Sequence, residues 1–243
     1  FAVIGIVLVI LVALFFFARS EFGFFIEPTT FLSDKSKSIE DNLKDCVNGI
    51  VSQSLDKFAK QGGDFAPNNF RLYQGFNVKY FCSNIEGVPE CTNRIPTLSE
   101  MIDSLNRGIE GGINNCVDEG LVNGGFGYDA DVGALTTEVS LSGNSILVKA
   151  DYDVKIIKGE SIQSIRPVTV SFDAPLGEVY SVAVDIVNAE ARAGNFEQLL
   201  YMLNERGQFV INVDKPYPDK IYKINKKDSD FELWFAVEGE RGV

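Results

Sequence analysis

The first 18 residues, FAVIGIVLVILVALFFFA, contain no charge and no strongly polar side chain, and this run constrains the chain more than any other feature. As a helix it would be about 27 Å long and apolar on every side, close to the thickness of a bilayer core. Arg19 is the first charged residue. We expect residues 1–19 to form a hydrophobic helix for membrane insertion and assembly. A buried core helix of a soluble protein is the less favoured alternative.

The apolar run stands at the start of the sequence, without a methionine or a basic leader before it. The ordinary secretory peptidase cuts after such a run and removes it. An intact run without its leader is therefore expected to arise from a cut before the run. We expect the mature protein to begin at Phe1 or within a residue or two of it.

Phe1 followed directly by the apolar run resembles the start of mature type IV pilins, most closely the archaeal ones. The resemblance covers roughly residues 1 to 30, while the rest more loosely resembles uncharacterised archaeal surface proteins. Gly5 departs from the bacterial pattern, which usually has glutamate at this position. The resemblance implies a structural subunit of an extracellular cell-surface filament that polymerises with itself and is anchored in the membrane before assembly.

In such a filament the apolar run would pack against copies of itself and bury apolar surface at every neighbour. The three consecutive phenylalanines are either a collar where the helix leaves the filament core or an aromatic belt at a membrane interface. The expected assembly residues are Phe1, Val3, Ile4, Val7, Leu8, Leu11, Leu14, Phe15, Phe16 and Phe17.

The net charge of −12 belongs entirely to the part of the chain that follows the apolar run. An acidic surface repels nucleic acid, so we expect no nucleic-acid partner. The chain has no histidine, which removes the commonest general base and zinc ligand. We expect no enzymatic activity and no cofactor. The alternative to a filament subunit is a membrane-anchored extracellular binding domain that does not polymerise, and the sequence does not identify a surface or cell partner.

The predicted fold class is α+β, with a long N-terminal hydrophobic helix and a head of amphipathic helices and a mainly antiparallel sheet. Residues 20–37 are predicted to be a neck in which Gly23 and Pro28 interrupt any continuous helix. The head then divides into a helical, disulfide-bearing part, 38–122, and a β-rich part, 123–243.

Apolar spacing predicts four helices in the head, at about 38–60, 98–117, 176–193 and 196–203. Gly62 and Gly63 are expected to end the first, and Thr97 with Glu100 forms a capping-box pattern at the start of the second. The predicted strands are 76–81, 138–141, 145–157, 164–173, 209–213, 220–224 and 231–237. Short loops between strands favour antiparallel pairing.

Four cysteines in an exported chain indicate two disulfides, for which three pairings exist. Cys46 and Cys116 occupy matching positions on two apolar stripes, and Cys82 and Cys91 enclose a short loop, so we favour Cys46–Cys116 and Cys82–Cys91. Four buried free thiols are the alternative. A zinc site is disfavoured because no two cysteines have the usual close spacing.

Asp129 and Asp131 lie in the Gly-rich stretch NGGFGYDADVGA and have the spacing of calcium-binding carboxylates. The full calcium-loop pattern is absent. We therefore predict solvated turn carboxylates and retain the two residues only as a secondary metal candidate.

Overall fold

The computed structural model describes residues 28–87, 91–122 and 128–239. The predicted assembly residues between Phe1 and Phe17 lie outside these ranges, as does the predicted neck from residue 20 to residue 27.

The described residues form four helices and twelve strands. The helices are α1 (Pro28–Lys60), α2 (Leu98–Val122), α3 (Leu176–Ala193) and α4 (Gln198–Asn204). The strands are β1 (Phe70–Tyr73), β2 (Phe76–Ser83), β3 (Thr92–Asn93), β4 (Asp129–Val132), β5 (Thr136–Ser142), β6 (Ser145–Asp151), β7 (Val154–Lys158), β8 (Ser161–Ser164), β9 (Val168–Asp173), β10 (Phe209–Asp214), β11 (Lys220–Lys226) and β12 (Glu232–Val237).

The strands are arranged in three sheets. The largest has the order β1-β2-β12-β11-β10, with β3 paired to β2, and the two smaller sheets have the orders β4-β7-β8 and β5-β6-β9. In the largest sheet β12 runs parallel to β2, and its other pairs are antiparallel. Helix α1 packs against strands of all three sheets, so it joins them into one core.

The predicted fold class is wrong as stated. The described chain is α+β and its strand pairs are antiparallel except for β2 with β12, but the strands form three sheets instead of one. Short loops predict that strands adjacent in sequence pair with each other. They give no indication that β2 and β12, which are distant in sequence, also pair. No helix within the described ranges is long and apolar enough to cross a membrane.

The described part of the predicted neck, residues 28–37, is also corrected, because it belongs to α1. A proline in the first turn of a helix removes no intrahelical hydrogen bond, so Pro28 does not interrupt α1. The buried side of α1 continues upstream of the predicted start through Leu32 and Ser36 to Ile39, at helical spacing.

Helix α2 was predicted from its apolar stripe, and the structure buries most of that stripe, while Leu98 and Ile102 are half-buried. Met101, Leu105, Ile109, Ile113 and Cys116 are all 0% exposed. They pack against α1, and the helix extends to Val122, beyond the predicted end at residue 117. The two helices run antiparallel, because Gly63 meets Met101 at one end and Cys46 is bonded to Cys116 at the other.

The predicted strand 145–157 is two strands, β6 and β7, that belong to different sheets. Asp153 between them has a φ of +42°, which a continuous strand cannot contain. The alternating apolar pattern continues through Tyr152 and Val154, which are both buried, so the sequence pattern did not indicate that the strand ends between them. Similarly, the predicted strand 164–173 is divided between β8 and β9.

Candidate functional site: a basic pocket at the start of α2

A cavity of about 400 Å³ opens where the end of α1, the middle of β2 and the first turns of α2 come together. Three basic and two acidic side chains line it, beside one serine and the apolar surface of Ile95 and Pro96. The volume is within the range of small-molecule sites, roughly 300–1,000 Å³.

One wall of the pocket depends on the way in which α1 ends. Gly62 and Gly63 have φ values of +74° and +73°, the left-handed conformation that ends a helix and favours glycine. The chain then turns toward α2, where the Phe65 ring packs against Gly108. A Cβ atom on Gly108 would lie 2.2 Å from Phe65 Cδ2, so only glycine accommodates the ring. This contact places Asp64 at the pocket.

The Asp64 carboxylate is held by three donors. Lys79 Nζ lies 2.7 Å from Oδ2, while the Ala66 N–H at 3.0 Å and the Ser104 hydroxyl at 3.5 Å donate to Oδ1. Burial by itself would raise the pKa of Asp64, but these donors and the Lys79 charge outweigh burial and hold the pKa below its ordinary value. Asp64 is therefore an ionised partner of Lys79 at neutral pH, and not a proton donor.

The opposite wall is the N-terminus of α2, where the predicted capping box is present. The Glu100 N–H donates to Thr97 Oγ1 at 3.2 Å, and the Thr97 N–H donates to Glu100 Oε2 at 2.7 Å. The backbone donor of Thr97, followed by its hydroxyl, holds the pKa of Glu100 below its ordinary value. Glu100, Ser104 and Arg107 lie at spacings of four and three residues, so one face of α2 presents all three to the pocket.

Arg94 approaches from the segment between β3 and α2. Its N–H donates to the carbonyl oxygen of Phe81 at 2.7 Å, which fixes its backbone against β2. The guanidinium groups of Arg94 and Arg107 are exposed, and neither forms an ion pair with any described residue. Since Lys79 and Asp64 neutralise each other, the two arginines supply the positive charge that is free to act on a ligand.

The pocket has groups that can hold a ligand. Its carboxylates are ionised and already accept hydrogen bonds, and the Ser104 hydroxyl lies between the Phe65 N–H and Asp64. An arginine fork, by contrast, donates paired hydrogen bonds to carboxylate and phosphate oxygens. The arrangement is therefore suited to hold an anion.

Both predicted disulfide pairings are present. Cys46–Cys116 has a Cα–Cα distance of 5.7 Å and Cys82–Cys91 one of 5.4 Å. No cysteine is free, so the alternatives of four buried thiols and of a zinc site are excluded.

The secondary metal candidates, Asp129 and Asp131, lie on β4 rather than in a turn, and both are exposed. They are two residues apart on a strand, so they face the same side, and Asp131 pairs in register with Lys155. No group of three or more metal-binding side chains occurs among the described residues.

The buried carboxylate of Glu190 on α3 has a structural role. It is 1% exposed, accepts hydrogen bonds from Lys220 Nζ at 2.7 and 2.8 Å, and accepts a further one from the Tyr222 hydroxyl. Lys220 also donates to the carbonyl of Gly194 at the end of α3. These contacts attach α3 to β11.

The sequence did not predict the pocket. Lys79 lies on β2, Arg107 on α2 and Arg94 in the segment between β3 and α2, and the three have no common spacing. The one available signal was the capping box, which indicated the start of α2 but not its neighbours.

No protein-family model, no curated protein and no solved structure matches this chain.

Proposed function

We propose that this protein is a non-catalytic structural subunit of an extracellular, pilus-like filament that assembles through its apolar segment, residues 1–18. The observation that carries the proposal is the position of α1 in the chain. This 33-residue helix begins at Pro28, ten residues in sequence beyond the end of the apolar segment at Ala18, packs along its length from Leu32 to Phe58, and is covalently bonded to α2.

A filament subunit must transmit tension between the segment that polymerises and the domain that faces outward. A helix packed along one side over its whole length cannot peel away at one point without exposing the rest of its apolar stripe. The Cys46–Cys116 bond adds a covalent link between α1 and α2. These features suit a domain that is attached to a polymer through α1.

The two disulfides support an extracellular location, since such bonds persist in oxidising compartments. The principal partner is a second copy of this chain, with the membrane as the site of the subunit before assembly. The charge of −12 argues against a nucleic-acid partner.

The direct test is electron microscopy of material sheared from cells that produce the protein. Filaments that contain the chain, identified by mass spectrometry of the same fraction, are the expected result. Recovery of the chain only after detergent extraction, with no filaments in the sheared fraction, would refute the proposal.

A charge within the apolar segment tests the mechanism. The Val7→Asp substitution should abolish filaments while the head stays folded, because burying an unpaired carboxylate costs several kcal/mol at every subunit. A matched control is Val132→Asp, which adds the same charge at a position 46% exposed on β4 and should leave filament yield unchanged. Normal filament yield from the Val7→Asp protein would show that the segment is not the assembly surface.

The second candidate function is an extracellular binding domain that does not polymerise. The basic pocket favours it, because a purely structural subunit does not need two unpaired arginines beside a cavity. Both functions are compatible with one molecule, and the microscopy decides only whether the chain polymerises.

A further inference from the structure

We infer that the pocket between α1, β2 and α2 binds a small hydroxylated carboxylate, an acidic sugar of the uronate kind. This inference does not depend on the proposed filament, because every residue in it belongs to the described head.

The two arginines of the pocket determine the charge of the ligand. Arg94 and Arg107 are positively charged throughout the physiological range and have no ion pair with a described residue. They face the same cavity, in a chain whose net charge is −12. Such a concentration of unpaired basic side chains in an acidic protein attracts an anion locally.

The two carboxylates of the pocket restrict the type of anion that can bind. The cavity also contains the ionised carboxylates of Asp64 and Glu100, which repel a group with two negative charges more than a group with one. A single carboxylate is therefore favoured over a phosphate. It can accept paired hydrogen bonds from an arginine fork.

The remaining pocket surface can hold the hydroxyl groups and the ring of a sugar. Glu100 Oε2 accepts from Thr97, and no described donor is bonded to the other oxygen, Oε1. A carboxylate oxygen at a pocket wall accepts a hydrogen bond from a ligand hydroxyl. A cavity of about 400 Å³ has room for a monosaccharide, and Ile95 and Pro96 offer apolar surface to a sugar ring.

The test is ligand binding to the full chain in detergent, measured by calorimetry with three probes: glucuronate, glucose and glucose 6-phosphate. Glucuronate should bind, and glucose, which lacks the carboxylate, should bind at least about tenfold more weakly because charge-assisted hydrogen bonds are lost. Glucose 6-phosphate should bind more weakly than glucuronate.

The matched variants are Arg94→Gln, Arg107→Gln and the control Arg192→Gln, which removes the same charge on α3, outside the pocket lining. Each pocket variant should weaken glucuronate binding by about tenfold or more, and the control should not change it. All three arginines are exposed, so the variants should fold, and circular dichroism checks this.

Any of the following results would overturn the inference. The first is no detectable binding of glucuronate at millimolar concentration. The second is equal affinity for glucuronate and glucose, or unchanged affinity in both pocket variants. The third is tighter binding of glucose 6-phosphate than of glucuronate, which would show that the site selects phosphate. None of these results depends on whether the chain forms filaments.

Discussion

Removing the two disulfides one at a time should cost the folded head different amounts of free energy, because the loops that they close differ in length. Cys46 and Cys116 are 70 residues apart in sequence, whereas Cys82 and Cys91 are 9 apart. A cross-link lowers the conformational entropy of the unfolded chain, and the effect grows with the logarithm of loop length.

The chain-entropy relation gives the size of this difference. For the separation of 70 residues it predicts about 4.4 kcal/mol, and for the separation of 9 residues about 2.6 kcal/mol. In each bond one cysteine is fully buried and the other is half-buried, so the packing lost on substitution by alanine is similar. The difference of about 1.8 kcal/mol therefore isolates the loop-length effect.

The assay is urea unfolding of two double variants, Cys46→Ala with Cys116→Ala and Cys82→Ala with Cys91→Ala, followed by circular dichroism. With a denaturant slope of about 2 kcal/mol per molar urea, the two midpoints should differ by about 0.9 M. The variant without the long-loop disulfide should unfold first. Equal midpoints, or earlier unfolding of the short-loop variant with the slope unchanged, would refute the reasoning.

Two further predictions concern the start of α1 and the pocket. A chain that begins at Ser38 should be less stable than one that begins at Pro28 by about 1.5–3 kcal/mol, because it lacks Leu32, which is 2% exposed; equal urea midpoints would contradict this. Asp64→Asn should lower stability at neutral pH, because it removes the ion pair with Lys79. Since the pKa of Asp64 is lowered in the folded protein, this ion pair stabilises the fold above the ordinary carboxyl pKa of 3.8, and the stabilisation is lost as the pH falls below that pKa. The stability gap between wild type and variant should therefore narrow from about pH 6 to about pH 3, whereas a constant gap in urea titrations across this range would show that Asp64 does not titrate as described.

Local periodic signals predicted most of the secondary structure. The stripe of α2 and the pattern of α3 repeat at helical spacing over several turns, and the structure buries all the predicted side chains of α3 and most of those of α2. The last three strands have short connections, so their antiparallel pairing followed from the sequence. The disulfide pairing followed from the helices, because Cys46 and Cys116 occupy equivalent positions on facing stripes.

The errors occurred where a local rule was overridden by contacts that are distant in sequence. Pro28 indicated a helix break, but packing of Leu32 against the core extends α1 toward it. The buried pair Tyr152 and Val154 continued a strand pattern across Asp153, where the chain changes sheets. The parallel pairing of β2 with β12 has no local signal, since no tight turn connects them.

The pocket could not be predicted from the sequence because its lining residues are brought together by contacts that are distant in sequence. It lies at the opposite end of the α1–α2 pair from the Cys46–Cys116 disulfide. Gly63 meets Met101 at the pocket end of the antiparallel pair, while Cys46 of the Cys46–Cys116 bond lies about 21 Å from the end of α1 at Lys60, at about 1.5 Å per residue. At the pocket end the register is held by local contacts: the Phe65 ring on Gly108 and the Phe65 N–H on Ser104. The Cys46–Cys116 disulfide therefore strengthens the attachment of α1 to α2, whereas the glycine contacts and the capping box shape the binding cavity. Because these features lie at opposite ends of the helix pair, a substitution at one end can leave the other end unchanged.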